Sequence, residues 1–469
     1  MTTPRGSVAD DNQPLLGHRE IEPLPLWKLA TLTICFLGVQ FGWACQIAYT
    51  SPLFLELGVP KLWVSFVWLA GPISGLLVQP TVGVLSDRCT HPWGKRRPFI
   101  FFGSLSIVFG MLLISNASSL GSLMGDSSDS KPVAIVLAII GFWILDLSNN
   151  TVQGPCRALL VDVAPPSQHN LGGSFFSFML GLGNLIGYLT GSLKLSKYLP
   201  FFETDLRALF TIGMVVLLSC ILTTVLLTKE TPLRKEDLPE GPQENPFVKI
   251  FRGLMRMPKP MIRVCAVQFF TWVGWFAFFL FMTTWVGENV YGGDPDADDD
   301  SHAKHQFDDG VRAGSLALSF YAAVTMVFSM ALPYLIKWFG VRLIYSSGQI
   351  VFAVCLMLPL WVETKVGAML LIAACGIPWS VVMVLPFTLV AMAVDEKESG
   401  MYMGVLNIFV VIPQIVVAVG VGGLVDLFGG NVAVALFAGG CSSIVAAALC
   451  WTLIVSEKPV FAAINGGGH

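Results

Sequence analysis

Charge is scarce in this sequence. Only 13% of its 469 residues are Asp, Glu, Lys or Arg and 54% are hydrophobic, whereas an ordinary soluble domain carries roughly 25% charge. Neither sign is in excess: 28 Lys+Arg against 31 Asp+Glu leave a net charge of −3, which excludes a basic nucleic-acid binder. A disulfide framework is missing too. Most of the ten cysteines, among them Cys35, Cys45, Cys220, Cys265, Cys355 and Cys375, lie inside apolar runs without a pairing spacing and read as small packing residues. Residues 1–26 are polar and lack a charged-then-apolar leader with a small-residue cleavage site, so the first apolar run is expected to stay in the protein. No HExxH, GxSxG or paired carboxylates at a shared depth occur, which argues against an intramembrane enzyme. No cofactor or metal is expected.

What the chain does have is apolar runs. Stretches near the ~20 residues needed to cross a bilayer occupy 27–54, 62–85, 98–116, 133–163, 172–193, 207–228, 261–286, 310–336, 342–361, 366–394, 402–425 and 431–455. These are spans 1 to 12, and the expected fold class is an all-α membrane protein with 12 transmembrane helices. Span 4 reads as the longest.

Basic loops set the orientation. Arg88, Lys95, Arg96 and Arg97 follow span 2; Lys229, Arg234, Lys235, Lys249, Arg252, Arg256 and Lys259 follow span 6. Both loops fall on one side, which the rule makes cytoplasmic, with both termini. The loop at 287–309 carries Glu288, Asp294, Asp296, Asp298, Asp299 and Asp300 and belongs outside, as does the sequon Asn116-Ala-Ser118.

The two halves echo each other. Pro155 through Asp162, a polar turn, and a Gly-rich helix through Gly183-Asn184 match Pro386 onward, Asp395 to Glu398, and Gly404-Val-Leu-Asn407. The expected organisation is an N-terminal tail (1–26), a six-helix bundle (27–228), a cytoplasmic linker (229–260), a second six-helix bundle (261–455) and a C-terminal tail (456–469). Two six-helix halves around a central site is the major-facilitator layout.

Span 4 holds the most informative pattern. Asp146, Asn149, Asn150, Gln153 and Arg157 recur every three to four residues and share one face of a helix. Such groups are costly against lipid, so the stripe should face protein or a wet cavity; the plainer alternative is a ladder that glues helices together. Asp146 and Arg157 stand roughly 16 Å apart along the axis, too far for an ion pair. Asp146 is the candidate proton-binding group, because removal from water disfavours the charge of a carboxylate. Arg157 either pairs with Asp162 as a gating bridge or donates to a ligand oxygen.

Other polar groups at membrane depth could complete a site for a hydroxyl-rich solute: Gln40, Trp43 and Gln46 on span 1, Gln268, Trp272 and Trp275 on span 7, and Trp379 on span 10. Each tryptophan alone is as readily a packing or interfacial residue. Arg312, opening span 8, reads as a headgroup or loop contact. The loop Gly83 to Arg97 places Asp87, Arg88, Arg96 and Arg97 where they can fix topology or gate by bridging the halves, and it resembles the major facilitator signature loop; Lys337 to Arg342 is a partial echo.

Several longer segments resemble the sucrose–proton symporters of plants and their animal and fungal relatives: Leu37 to Trp43, Gly71 to Pro80, Ser86 to Thr90 with Gly94 to Phe99, Asp146 to Arg157, and Gly404 to Gln414. The resemblance implies proton-coupled uptake of sucrose or a related glucoside, with protons and the lipid bilayer as further partners. Within it Asp146 matches the proton-coupling aspartate and Arg157 the essential arginine. Plant members carry an Asp-Thr-Asp-Trp-Met-Gly-Arg-Glu stretch at the outer end of span 7, where this chain has Met282-Thr-Thr284-Trp-Val-Gly-Glu288-Asn289, and a histidine where this chain has Lys61. The proton site is therefore expected to carry over, and the choice of sugar stays open. An uncoupled facilitator, or a carrier of another small polar solute, is the alternative. Asp11 to Leu16 resembles an acidic dileucine signal, which sets a vacuolar or lysosomal membrane beside the plasma membrane as locations. A monomer is expected.

Overall fold

The computed structural model describes residues 23–455 apart from 128–129, 166–167, 235, 237–244, 299 and 395. The dileucine-like segment, most of the N-terminal tail, the middle of the linker with Lys235, Asp299, Asp395 and the C-terminal tail lie outside the described residues.

Among the described residues the chain is helical, and 12 helices are long and apolar enough to cross a membrane: Leu26–Glu56, Lys61–Asp87, Arg97–Ser115, Pro132–Val163, Leu171–Gly191, Asp205–Leu227, Lys259–Val290, His302–Phe339, Val341–Leu360, Lys365–Val390, Met401–Leu427 and Ala433–Cys450. Spans 1 to 12 below refer to these helices. The protein is a multi-pass integral membrane protein. Span 8, at 38 residues, is longer than span 4 at 32, which corrects the expected order. Its first turns are polar yet helical because Ser301 caps them and Lys304 pairs with Asp308. The acidic loop is shortened at its other end as well, since span 7 runs on through a π-helical turn, Val286–Val290.

Span 2 is interrupted. Helix runs from Lys61 to Val67 and resumes at Ala70. Pro72 explains the gap: it offers no N–H, and its ring crowds the carbonyl four residues back, that of Trp68. Trp68 is buried and donates its indole N–H to Ser51 Oγ at 3.1 Å.

Within the first half spans 1, 5 and 6 pack together, and spans 3 and 4 pair closely; within the second, span 12 fits against spans 7 and 9. Between the halves span 8 lies against span 5, and the short outer segment of span 2 lies against span 11. All ten thiols are free. Asn116 follows span 3 directly and donates its amide to the Leu112 carbonyl at 2.9 Å, a cramped position for a glycan.

Candidate functional site

The polar stripe of span 4 divides between two neighbours. Asp146 is 1% exposed, and Gln46 Nε2 of span 1 donates to its Oδ1 at 2.8 Å. Gln46 Oε1 in turn accepts from Asn149 Nδ2 at 3.5 Å. Toward span 2, Asn150 Nδ2 donates to Ser74 Oγ at 2.6 Å and to the Asp146 carbonyl at 3.0 Å, while Asn150 Oδ1 accepts from Gln79 Nε2 at 2.7 Å. Asp146 Oδ2 has no partner and faces Gly71, where an added Cβ would stand 3.6 Å away. Glycine there leaves the second carboxylate oxygen uncovered by side chain. No cation pairs with Asp146 among the described residues.

Gln46, expected among the ligand contacts, is thus turned to the carboxylate. Ser74 and Gln79 were not among the expected site residues. Their signal was available, since Gly71, Ser74, Gly75 and Gln79 repeat at helical spacing in an otherwise apolar span.

Arg157 lies toward the end that carries the basic loops. Its guanidinium sits 5.8 Å from the Phe36 ring centroid and 5.7 Å from that of Phe176, and the residue is exposed. The expected pairing with Asp162 does not form. Asp162 is bound instead by Lys95 Nζ at 3.0 Å and Arg96 Nε at 2.9 Å, two cations that reach it from the adjacent loop. Gln153, between Asp146 and Arg157, is half-buried.

Of the remaining expected residues, three tryptophans of the second half form a group of their own. Trp272, Trp275 and Trp379 meet, with Trp379 centred 6.0 Å from Trp272 and 4.6 Å from Trp275. Trp275 is fully buried and stacks on Phe352 at 4.0 Å, and Gln268 is buried with Tyr345 Oη donating to its Oε1 at 3.2 Å. Both belong to the packing between spans 7 and 9. Trp272 and Trp379 are half-buried, and the buried indole nitrogen of Trp272 is unpartnered. On span 1 Gln40 is half-buried close to Gly183, and Trp43 is half-buried with its buried indole nitrogen unpartnered.

Among the described residues, the bonds of Arg96 in the loop after span 2 all fall within the first half. Arg96 binds Asp87, Ser86 and Asp162. Burial opposes its charge, but the bonds to Asp162 and Asp87 outweigh it and hold the guanidinium pKa above its ordinary value. Arg97 donates to the carbonyls of Trp93 and Val225, and Arg88 caps the end of span 2. Glu230, unanticipated, accepts from the backbone N–H of Lys95 at 3.0 Å, Arg96 at 2.9 Å and Arg97 at 3.1 Å. It thereby satisfies the open start of span 3.

The acidic end is closed by ion pairs between the halves: Lys61–Glu288 at 2.8 Å, Lys304–Glu56 at 2.9 Å, Arg312–Asp205 at 2.8 Å and Lys194–Asp309 at 2.9 Å. Arg312 is therefore an inter-half contact. A cavity of about 540 Å³ beside Lys61 and Glu288 is lined also by Asp294, Asp296 and Asp426. Burial, and then the neighbouring Asp294, push the Asp296 carboxyl above its ordinary range, with Lys61 acting against them.

Residues 135–418 match the family model of the Major Facilitator Superfamily. The chain is 32% identical to the sucrose transport protein SUT1 of Oryza sativa subsp. japonica, over 95% of this chain and 91% of that protein. It is 34% identical to SUT2 of Oryza sativa subsp. indica (88% and 89%) and 33% identical to the sucrose transport protein SUC4 of Arabidopsis thaliana (87% and 86%). Among solved structures, a D-xylose–proton symporter superposes with a TM-score of 0.65 at 15% identity, covering 92% of this chain and 99% of that one. The nucleoside transporter NupG superposes with a TM-score of 0.60 at 13% identity, covering 92% and 99%. These structural likenesses describe the fold.

Proposed function

Because the chain belongs to the sucrose-transport family of the major facilitator superfamily, we propose that it carries sucrose or a related glucoside together with a proton by alternating access, with Asp146 as proton acceptor. The observation that carries this reading is the setting of Asp146: buried in the membrane, held by one N–H from Gln46, one oxygen unpartnered beside Gly71. A buried carboxylate without a cation is expensive. Protonation removes that cost and lets the halves rearrange around a neutral group.

Binding and protonation are then linked. If a proton on Asp146 favours sugar binding by some factor, sugar raises proton affinity by the same factor. Gln46 is the link, since its amide touches both Asp146 and Asn149, and a proton on Oδ1 would turn that amide around. Arg157, Asn149 and Gln153 are assigned to sugar hydroxyls from the first half. Trp272 and Trp379 supply flat apolar surface from the second. Asp87, Arg96 and Asp162 keep the first half rigid at the cytoplasmic end.

Radiolabelled uptake of sucrose, maltose and glucose into proteoliposomes, each at two pH values, tests the reading. Accumulation of a glucoside driven by an inward proton gradient supports it. Sugar flux indifferent to pH and membrane potential selects an uncoupled facilitator. The protein is proposed to act as a monomer, in the plasma membrane or in a vacuolar or lysosomal one.

A further inference from the structure

The linker between the halves contains a helix, Pro246–Met255, three residues before span 7 begins at Lys259. One face of it is packed. Ile250 lies against Gly404 and Gly253 against Met401, at the first turns of span 11, where glycine on each side permits the close approach. Tyr402 Oη also donates to the Arg256 carbonyl at 3.2 Å.

The rest of its circumference is divided in two. At about 100° per residue, Ile250, Gly253 and Leu254 form the packed face. Beside it comes an apolar stripe of Phe247, Val248, Phe251 and Met255, exposed by 38%, 49%, 62% and 72%. Beyond that lie Lys249, Arg252 and Arg256, all exposed. Residues 246–260 carry these cations and Lys259 and no acidic residue, although the chain as a whole has a net charge of −3.

We propose that this helix lies in the plane of the cytoplasmic leaflet, with Phe247, Phe251 and Met255 in the acyl boundary and Lys249, Arg252 and Arg256 on the headgroups of anionic phospholipid. The three stripes answer three surroundings: one face on span 11, one in lipid, one at the charged surface. An exposed aromatic stripe flanked by cations, held at a membrane-spanning helix end, is the composition that binds an anionic interface. The basic loops put this end of the protein on the cytoplasmic side. The inference concerns the linker alone and does not depend on which solute is carried.

The full-length protein, purified in neutral detergent and offered equal phosphatidylserine and phosphatidylcholine, tests the charge. Retention of the serine lipid at least fivefold over the choline lipid is expected. The Lys249→Gln, Arg252→Gln, Arg256→Gln variant should fall below twofold with an unchanged melting temperature. Equal preference in wild type and variant overturns the proposal. A nitroxide tests the depth, placed on Phe251→Cys with Cys89 and Cys441, the thiols that are not buried, changed to Ser. In liposomes it should be several-fold more accessible to oxygen than to a nickel chelate, and the same label on Lys249→Cys should show the reverse. A label at 251 that favours nickel, or that is shielded from both reagents as in a protein contact, overturns it.

Discussion

Lys61 Nζ donates to Glu288 Oε2 at 2.8 Å and to the Gly430 carbonyl at 2.7 Å, so one ammonium ties the outer segment of span 2 to the end of span 7 and to the turn before span 12. Both side chains are mostly buried, at 20% and 14% exposure. The π-helical turn at Val286–Val290 carries Glu288, and the interruption of span 2 at Trp68 frees the segment that carries Lys61. Trp68 packs on Phe142, one turn from Asp146, and on Phe276 of the second half. The closed acidic end and the buried acid are therefore physically contiguous.

Breaking this pair should loosen the outer closure. Lys61→Glu and Glu288→Lys each forfeit charged hydrogen bonds of about 1.5–3 kcal/mol, enough to change uptake kcat/KM roughly tenfold, and the double exchange should recover the part due to the ion pair but not the bond to the Gly430 carbonyl. A double-mutant cycle on uptake measures it; strictly additive effects would show the pair is not coupled to transport.

Crowding the free oxygen of Asp146 should be felt in transport. Gly71→Ala places a methyl at van der Waals distance from Oδ2 and is expected to be tolerated. Gly71→Leu overpacks the interface of spans 2 and 4 at a cost of about 1–3 kcal/mol. The leucine variant should lose at least tenfold in uptake while the alanine variant stays within about twofold, compared at equal amounts of purified protein.

The loop after span 2 depends on Gly94 and Glu230. Gly94 has φ of +114°, and a Cβ there would run into the Glu230 carboxylate. Gly94→Ala should therefore lower the apparent unfolding temperature by several degrees, through strain and a displaced acceptor. Glu230→Gln, which weakens its bonds to three N–H groups by about 1–3 kcal/mol, should lower it less. Thermal unfolding in one detergent compares them; a Gly94→Ala variant as stable as wild type would contradict the assignment.

Arg157 rests against Phe36 and Phe176 as a flat cation. Lysine keeps the charge but not the plane or the forked donors. Arg157→Lys should reduce sugar uptake at least tenfold with normal amounts of folded protein; uptake equal to wild type would remove Arg157 from the sugar site.

Much of the architecture was legible because bilayer length is written directly in apolar runs, and each of the 12 spans lies where hydropathy puts it. The span 4 stripe was legible for the same reason, since polar residues at helical spacing stand out in an apolar run. What each polar residue touches was not. Gln46 turning to Asp146, and Asp162 going to Lys95 and Arg96 in place of Arg157, depend on which helices are neighbours, and sequence spacing does not carry that. The packing of Trp275 and Gln268 between spans 7 and 9 is hidden likewise, because a tryptophan facing a cavity and one facing a helix read alike. The first turns of span 8 are polar and give no apolar signal, and their helicity comes from a serine cap and ion pairs.

Gradient-driven sucrose accumulation by Asp146→Asn in proteoliposomes, set beside sugar exchange in the same vesicles, tests the central claim most directly. The asparagine mimics the protonated acid, so exchange should persist while accumulation against a gradient, and its rise as external pH falls, disappear. Full accumulation by Asp146→Asn, with wild-type dependence on pH, would contradict the account.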